Sequence, residues 1–235
     1  MFIELQRSLK ISYQALRTNF SAAIVLQVIM VIIAGLYFLV EESRPVFEQI
    51  ASWKKESVWW EIFLISGLMI GVLSEFFRVY CVDQGKWNRN HVLDMIFKFF
   101  LMGFIYTMTS YFYQFQNYIF TESSSIAVLI KKITFEFFVF SFFVTVPIQV
   151  VAFQWRDCGF KLTGLLNSFG SLKLFFIEKH LPMWIGIVVF WSLTDVVIYS
   201  MPEALQYPVC LTAGMIWGIL IVNISKLSTS SSRKN

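Results

Sequence analysis

NFSAAIVLQVIMVIIAGLYFLV, residues 19–40, runs for 22 positions without one charged side chain. An α-helix needs about 20 mostly apolar residues to cross roughly 30 Å of hydrocarbon, so this stretch is long enough to span a bilayer. Its apolarity is continuous rather than alternating, which selects a helix over a barrel strand. The remainder of the chain repeats the pattern. Val58–Phe77, Val92–Tyr113, Ile133–Phe153, Met183–Ser200 and Leu205–Ser225 are further apolar stretches, the last two parted by a turn containing Pro202. The fold expected is all-α: a polytopic transmembrane helical bundle of about six spans filling residues 19–225.

Composition agrees. Of 235 residues, 57% are hydrophobic, 18% aromatic and only 14% charged, against about 25% charged in soluble domains. Phenylalanine alone supplies 26 residues. Residues 1–18 carry Glu4, Arg7, Lys10 and Arg17, and the apolar run behind them is too long for the core of a signal peptide. A retained amphipathic N-terminal segment is therefore expected, and a polar tail over 226–235. Residues 156–182, RDCGFKLTGLLNSFGSLKLFFIEKHLP, interrupt their apolar positions with Lys161, Lys173 and Lys179. They read as an interfacial amphipathic helix near 160–180, with a short extra span left open.

Basic residues fix the orientation. With six spans, one side receives Arg7, Lys10, Arg17, Arg78, Lys86, Arg89, Arg156, Lys161, Lys173, Lys179, Lys226, Arg233 and Lys234; the other receives Arg44, Lys54, Lys55, Lys131 and Lys132. The bias predicts both termini on the cytoplasmic side, or on the matrix side of an organelle. Trp53, Trp59, Trp60, Trp87 and Trp155 fall near span ends, as interfacial belts do. The net charge of +4 is met by anionic lipid, so the bilayer is the partner expected and no nucleic acid is implied.

Polar residues inside spans carry the functional information. Gly67 and Gly71 form a GxxxG pair suited to close helix packing, with Glu75 one turn on and Arg78 within reach of it. Asp94 and Lys98 are spaced for mutual neutralisation. The fourth span carries Glu136 near its outside end and a stripe of Thr134, Ser141, Thr145 and Gln149, and Pro147 is expected to kink the helix. Trp191, Asp195 and Tyr199 share a face of the fifth. Asp195 has no basic residue within a turn, and Lys98 is one partner the sequence permits. These side chains either hold helices together or converge on a water-filled passage. On the second reading Glu75, Lys98, Glu136, Asp195 and Tyr199 line or gate it.

No enzyme, cofactor or metal site is expected. HExxH, Walker A, GxSxG and GxGxxG are all missing, and His91 and His180 stand apart at span ends. Cys81, Cys158 and Cys210 are scattered and read as free thiols. Glu136 and Asp195 are the paired carboxylates an intramembrane hydrolase would need, but nothing around either looks catalytic.

FWSLTDVVIYSMPEALQYP, residues 190–208, resembles the C-terminal signature of the family of small peroxisomal and mitochondrial inner-membrane proteins named for Mpv-seventeen and the twenty-two-kilodalton peroxisomal membrane protein. Trp191, Pro202, Gln206, Tyr207 and the later Trp217 match its signature positions, with Leu205 before the Gln-Tyr pair. AVLIKKITFEFFVFS (127–141), SGLMIGVLSE (66–75) and YFYQFQN (111–117) are similar to upstream motifs, with Glu136 and Glu75 at the family's aspartates. Ser192, Ile198 and Pro208 depart from the pattern.

The resemblance, over about residues 60–224, implies a small membrane protein linked to channel behaviour toward small solutes and to organelle homeostasis. A weakly selective channel-like protein for small solutes or ions is the leading expectation. Six helices with both termini inside is also the layout of the substrate-binding subunits of energy-coupling vitamin transporters. A non-transporting membrane scaffold is the third alternative. A bacterial inner membrane, the mitochondrial inner membrane and the peroxisomal membrane all remain open, as does a homo-oligomer.

Overall fold

The computed structural model describes residue 13 and residues 20–81, 84–121, 125–169 and 172–232. The N-terminal segment expected over 1–18 lies, but for residue 13, outside the described residues, as do the last three of the tail. Every regular element described is helical.

α1 (Phe20–Leu39) is the apolar stretch quoted above. One tight turn, Glu41–Ser43, follows. There Ser43 Oγ donates to the carbonyls of Leu36 at 2.6 Å and Val40 at 2.7 Å, satisfying acceptors that the helix end leaves open. α2 (Arg44–Glu56) then starts on Pro45, whose missing N–H costs nothing in a first turn. The chain bends by 100° between α1 and α2. This second helix lay unforeseen in the loop expected over 41–57.

α3 (Trp59–Tyr80), α4 (Arg89–Phe120), α5 (Ile126–Asp157) and α7 (Phe176–Ser200) are, among the described residues, the four helices long and apolar enough to cross a membrane. The bent pair of α1 and α2 makes a fifth if it counts as one span. α4 and α5 run 32 residues each, beyond the stretches expected at 92–113 and 133–153. Polar residues at both ends extend the helices past the apolar runs, and Asn88 caps α4 by accepting from the N–H groups of Asn90 at 2.9 Å and His91 at 3.2 Å.

The interfacial helix expected near 160–180 divides in two. α6 (Leu162–Ser168) is a separate short piece, whereas Leu172–Phe175 and Phe176–His180 lead straight into Leu181–Ser200. Lys173 and Lys179 interrupt the apolar pattern without interrupting the helix, so this helix begins earlier than the stretch expected at 183–200. α8 (Glu203–Ser232) closes the chain.

Three stretches widen to i→i+5 hydrogen bonding: Gly67–Leu73, Glu136–Thr145 and Phe176–His180. The second ends two residues before Pro147, whose ring would clash with the carbonyl four residues back in a regular helix. The wider turns accommodate the proline within α5.

The chain forms two compact units, one from Ser21–Thr134 with Leu193–Ile219 and the other from Met1–Phe20, Phe135–Ser192 and Leu220–Asn235. In the first, α3 lies directly on α4. A Cβ on Gly71 would stand 2.6 Å from the backbone nitrogen of Phe99, and one on Gly67 2.7 Å from its carbonyl oxygen. Gly103 returns the contact against Phe63, whose ring meets Phe99 edge-on at 5.7 Å. In the second unit, the described residues gather rings: Phe142 meets His180 at 4.7 Å and Trp184 at 5.3 Å, and Trp184 Nε1 donates to the Phe137 carbonyl at 2.8 Å.

Candidate functional site: a buried ion cluster and an aromatic cavity

Glu75 is fully buried, and the helices around it supply its partners. Arg78, one turn on, donates through Nε to both carboxylate oxygens at 3.1 and 3.0 Å, and through Nη2 to Oε1. From α4, His91 Nδ1 lies 3.0 Å from Oε1. Lys98 Nζ donates to Oε2 at 2.7 Å and to the Gly218 carbonyl of α8 at 3.3 Å. Charged groups in a water-poor interior persist only when paired and hydrogen-bonded, and this cluster satisfies that condition. It joins α3, α4 and α8.

Two expected pairings are thereby corrected. Asp94 attracts Lys98 electrostatically, but the Lys98 ammonium is bonded to Glu75 rather than to Asp94. Nor does it serve Asp195, because among the described residues its hydrogen-bond partners are Glu75 and Gly218 alone. A helix neighbour four residues away loses to a carboxylate presented squarely from the facing helix.

Asp195 and Thr194 are also fully buried, and Gln27 Nε2 of α1 donates to Thr194 Oγ1 at 3.1 Å. Tyr199 packs edge-on against Tyr113 at 5.5 Å, with Lys132 Nζ 6.0 Å above its ring. Lys132 in turn donates to Asn117 Oδ1, Asn117 Nδ2 to Gln206 Oε1 at 3.2 Å, and Gln206 Nε2 to the Met201 carbonyl at 3.1 Å. Trp191 and Trp217 are buried. Glu136 is buried at the start of the widened stretch of α5.

A cavity of about 710 Å³ opens elsewhere in the Ser21–Thr134 and Leu193–Ile219 unit. Ligand pockets run from about 300 to 1,000 Å³. Its walls come from the end of α1, from α2, from α4 and from the start of α8. Tyr37, Phe38, Phe47, Tyr111, Tyr113 and Tyr207 supply rings. Arg44, Glu48 and Lys55 are exposed at its rim, and Glu203 is half-buried. Pro202 and Tyr207 are the expected residues that line it; Glu75, Lys98, Asp195 and Tyr199 do not.

Two polar groups in the wall are not among the site residues expected from the sequence. Lys54 is only 7% exposed. Among the described residues its ammonium makes no hydrogen bond or ion pair; it stands 5.5 Å over the Tyr207 ring and feels the charge of Glu203. Ser110, 1% exposed, has a hydroxyl without a hydrogen-bond partner among the described residues. One signal for Lys54 was available. Phe47, Ile50, Ala51 and Lys54 sit at helical offsets of 3, 4 and 7, an apolar stripe that ends on a cation. Tyr207 is held in place by its hydroxyl, 2.7 Å from Ser66 Oγ and donating to the Ile62 carbonyl at 3.1 Å.

Among the described residues, no three histidine, cysteine, aspartate or glutamate side chains are grouped to hold a metal ion. Cys158 and Cys210 are free thiols. No family model matches the chain, and no curated protein sequence or solved structure does either.

Proposed function

We propose that this chain is a six-span membrane protein, termini on the cytoplasmic or matrix side, that binds a small solute in the Lys54–Tyr207 cavity at the opposite face. It acts as a carrier or as the binding subunit of a larger transporter. The observation that supports this reading is the division of polar residues between the two places. Glu75, Lys98 and Asp195, the residues a standing passage would need, are at 0% exposure, and the first two are bonded to each other. The accessible concavity is instead walled by rings and closed by Ile62, Leu205 and Tyr207.

The segments that wall it support its placement. α2, the end of α4 and the Pro202 turn belong to the loops that the distribution of basic residues assigns to the side away from the termini. The similarity of residues 191–217 to the Mpv-seventeen signature supports a place among small-solute proteins of organelle membranes. The six-helix layout supports a binding subunit.

Planar-bilayer recording of the purified protein tests the reading. Folded protein should give no discrete openings. Openings whose ion preference changes in Asp195→Asn or Glu136→Gln would overturn the closed-site account in favour of a passive channel.

A further inference from the structure

The cavity also carries information about what it holds. Burying an ammonium costs several kcal/mol unless a counter-charge accompanies it. Arg78 and Lys98 share the Glu75 carboxylate, whereas Lys54 has a ring at 5.5 Å and a carboxylate beyond ion-pair range. A cation kept in this condition within the wall of a solute-sized cavity is half of an interaction. The other half is an acceptor that enters with the ligand.

Ser110 points the same way. Its hydroxyl is buried without a partner among the described residues, on a residue of the same cavity wall. Carbon and polar atoms share the rest of the wall, with Ser57 and Gln114 beside the rings. Six aromatic side chains and Ile62, Ala51, Ala204 and Leu205 line the space, enough to cover a hydrocarbon or aromatic body. The acids do not reverse the sign. Glu48 sits at the exposed rim, balanced there by Arg44 and Lys55, and Lys54 is the buried charge.

Resting on the solute-binding reading above, we propose that the cavity takes an amphipathic organic anion, its acidic group on the Lys54 ammonium and its apolar body against the aromatic wall. A free carboxylate and the acidic headgroup of a lipid share this chemistry. Burial pulls the Lys54 pKa below the usual lysine value, with Glu203 opposing the shift; a bound anion would raise it again.

The test uses the full chain in nanodiscs of phosphatidylcholine, titrated calorimetrically with 3-phenylpropionate, 3-phenylpropanol and 3-phenylpropylamine. These probes share one ring and differ only in the charge of the head. The proposal expects saturable binding of the carboxylate, at least tenfold weaker binding of the alcohol and none of the amine. Lys54→Met should weaken carboxylate binding by about 10–100-fold, the range for a charge-assisted hydrogen bond. Lys54→Arg should keep most of it. Repeating the titration with phosphatidylglycerol discs separates the two sources: loss of binding there assigns the site to an acidic lipid, and unchanged binding to a free solute.

Binding of the alcohol or amine as tight as the carboxylate would overturn the anion assignment and leave a solute site standing. Binding of none of the three, in protein whose thermal unfolding is cooperative, would overturn both. Carboxylate binding unchanged by Lys54→Met would also overturn the assignment.

Discussion

Lys54 Nζ stands 5.5 Å over the centroid of the Tyr207 ring, on a residue only 7% exposed. The two side chains come from helices 153 positions apart in the chain, α2 and α8, and the contact holds them across the cavity floor. Magnitudes decide what it does for stability. A desolvated cation–π contact contributes about 2 kcal/mol, while the effective penalty of burying an ion is several kcal/mol. The balance is a cost.

Lys54→Met should therefore raise the apparent melting temperature of the ligand-free protein. An apolar side chain of similar length removes the desolvation penalty, and about 1 kcal/mol corresponds to roughly 2–4 °C in a chain of this size. Differential scanning fluorimetry in detergent reads the shift. A fall of several degrees would mean that Lys54 is already neutralised within the protein.

The ion cluster makes an asymmetric prediction. Glu75→Gln takes from Lys98, at 0% exposure, the carboxylate charge it is bonded to, and removal of a buried ionic partner costs about 3–5 kcal/mol. Lys98→Met leaves Glu75 still held by Arg78 and His91, so it should cost less. The double variant should be more stable than the sum of the two losses. Denaturant unfolding of the four proteins gives the cycle.

Close packing of α3 on α4 is tested by two alanines. In Gly71→Ala the new methyl meets backbone atoms of Lys98 and Phe99 at 2.7 and 2.6 Å, and such overpacking costs about 1–3 kcal/mol. Gly35→Ala on α1 meets nothing within 4 Å and should be neutral or slightly stabilising through helix propensity. Melting temperatures of the pair separate steric contact from a general intolerance of alanine.

Alkaline pH should release an anionic ligand early. The Lys54 pKa is lowered by burial, so its ammonium loses its proton below the usual lysine value of about 10.4. Affinity for 3-phenylpropionate should be level through neutral pH and fall as pH rises through that lowered pKa. Lys54→Arg should remove the fall, since arginine stays charged to above about pH 12. Calorimetry across the alkaline range checks both.

How much of this was legible in the sequence follows from what each residue responds to. Long uncharged runs respond to a single requirement, internal satisfaction of backbone groups in hydrocarbon, so α1, α3 and the cores of α4, α5 and α7 could be read directly. Helix ends respond to capping and to polar side chains, and α4 and α5 outran their apolar stretches for that reason. The Glu75–Arg78 pair was visible because both lie on one helix at a fixed spacing. The transfer of Lys98 from Asp94 to Glu75 was not, because it depends on α3 and α4 meeting at Gly67, Gly71 and Gly103. α2 stayed hidden inside a loop rich in glutamate and lysine, although its stripe from Phe47 to Lys54 was there to be counted.

A closed binding site opens to one face of the membrane only. Ala51→Cys, in a chain whose Cys81, Cys158 and Cys210 are replaced by serine, places one thiol in the cavity wall for a membrane-impermeant methanethiosulfonate reagent. In sealed vesicles of both orientations, modification should occur only from the face opposite the termini and should slow when 3-phenylpropionate is present. Modification from the side of the termini, or at equal rates from both, would contradict a closed site and point to a passage through the bundle.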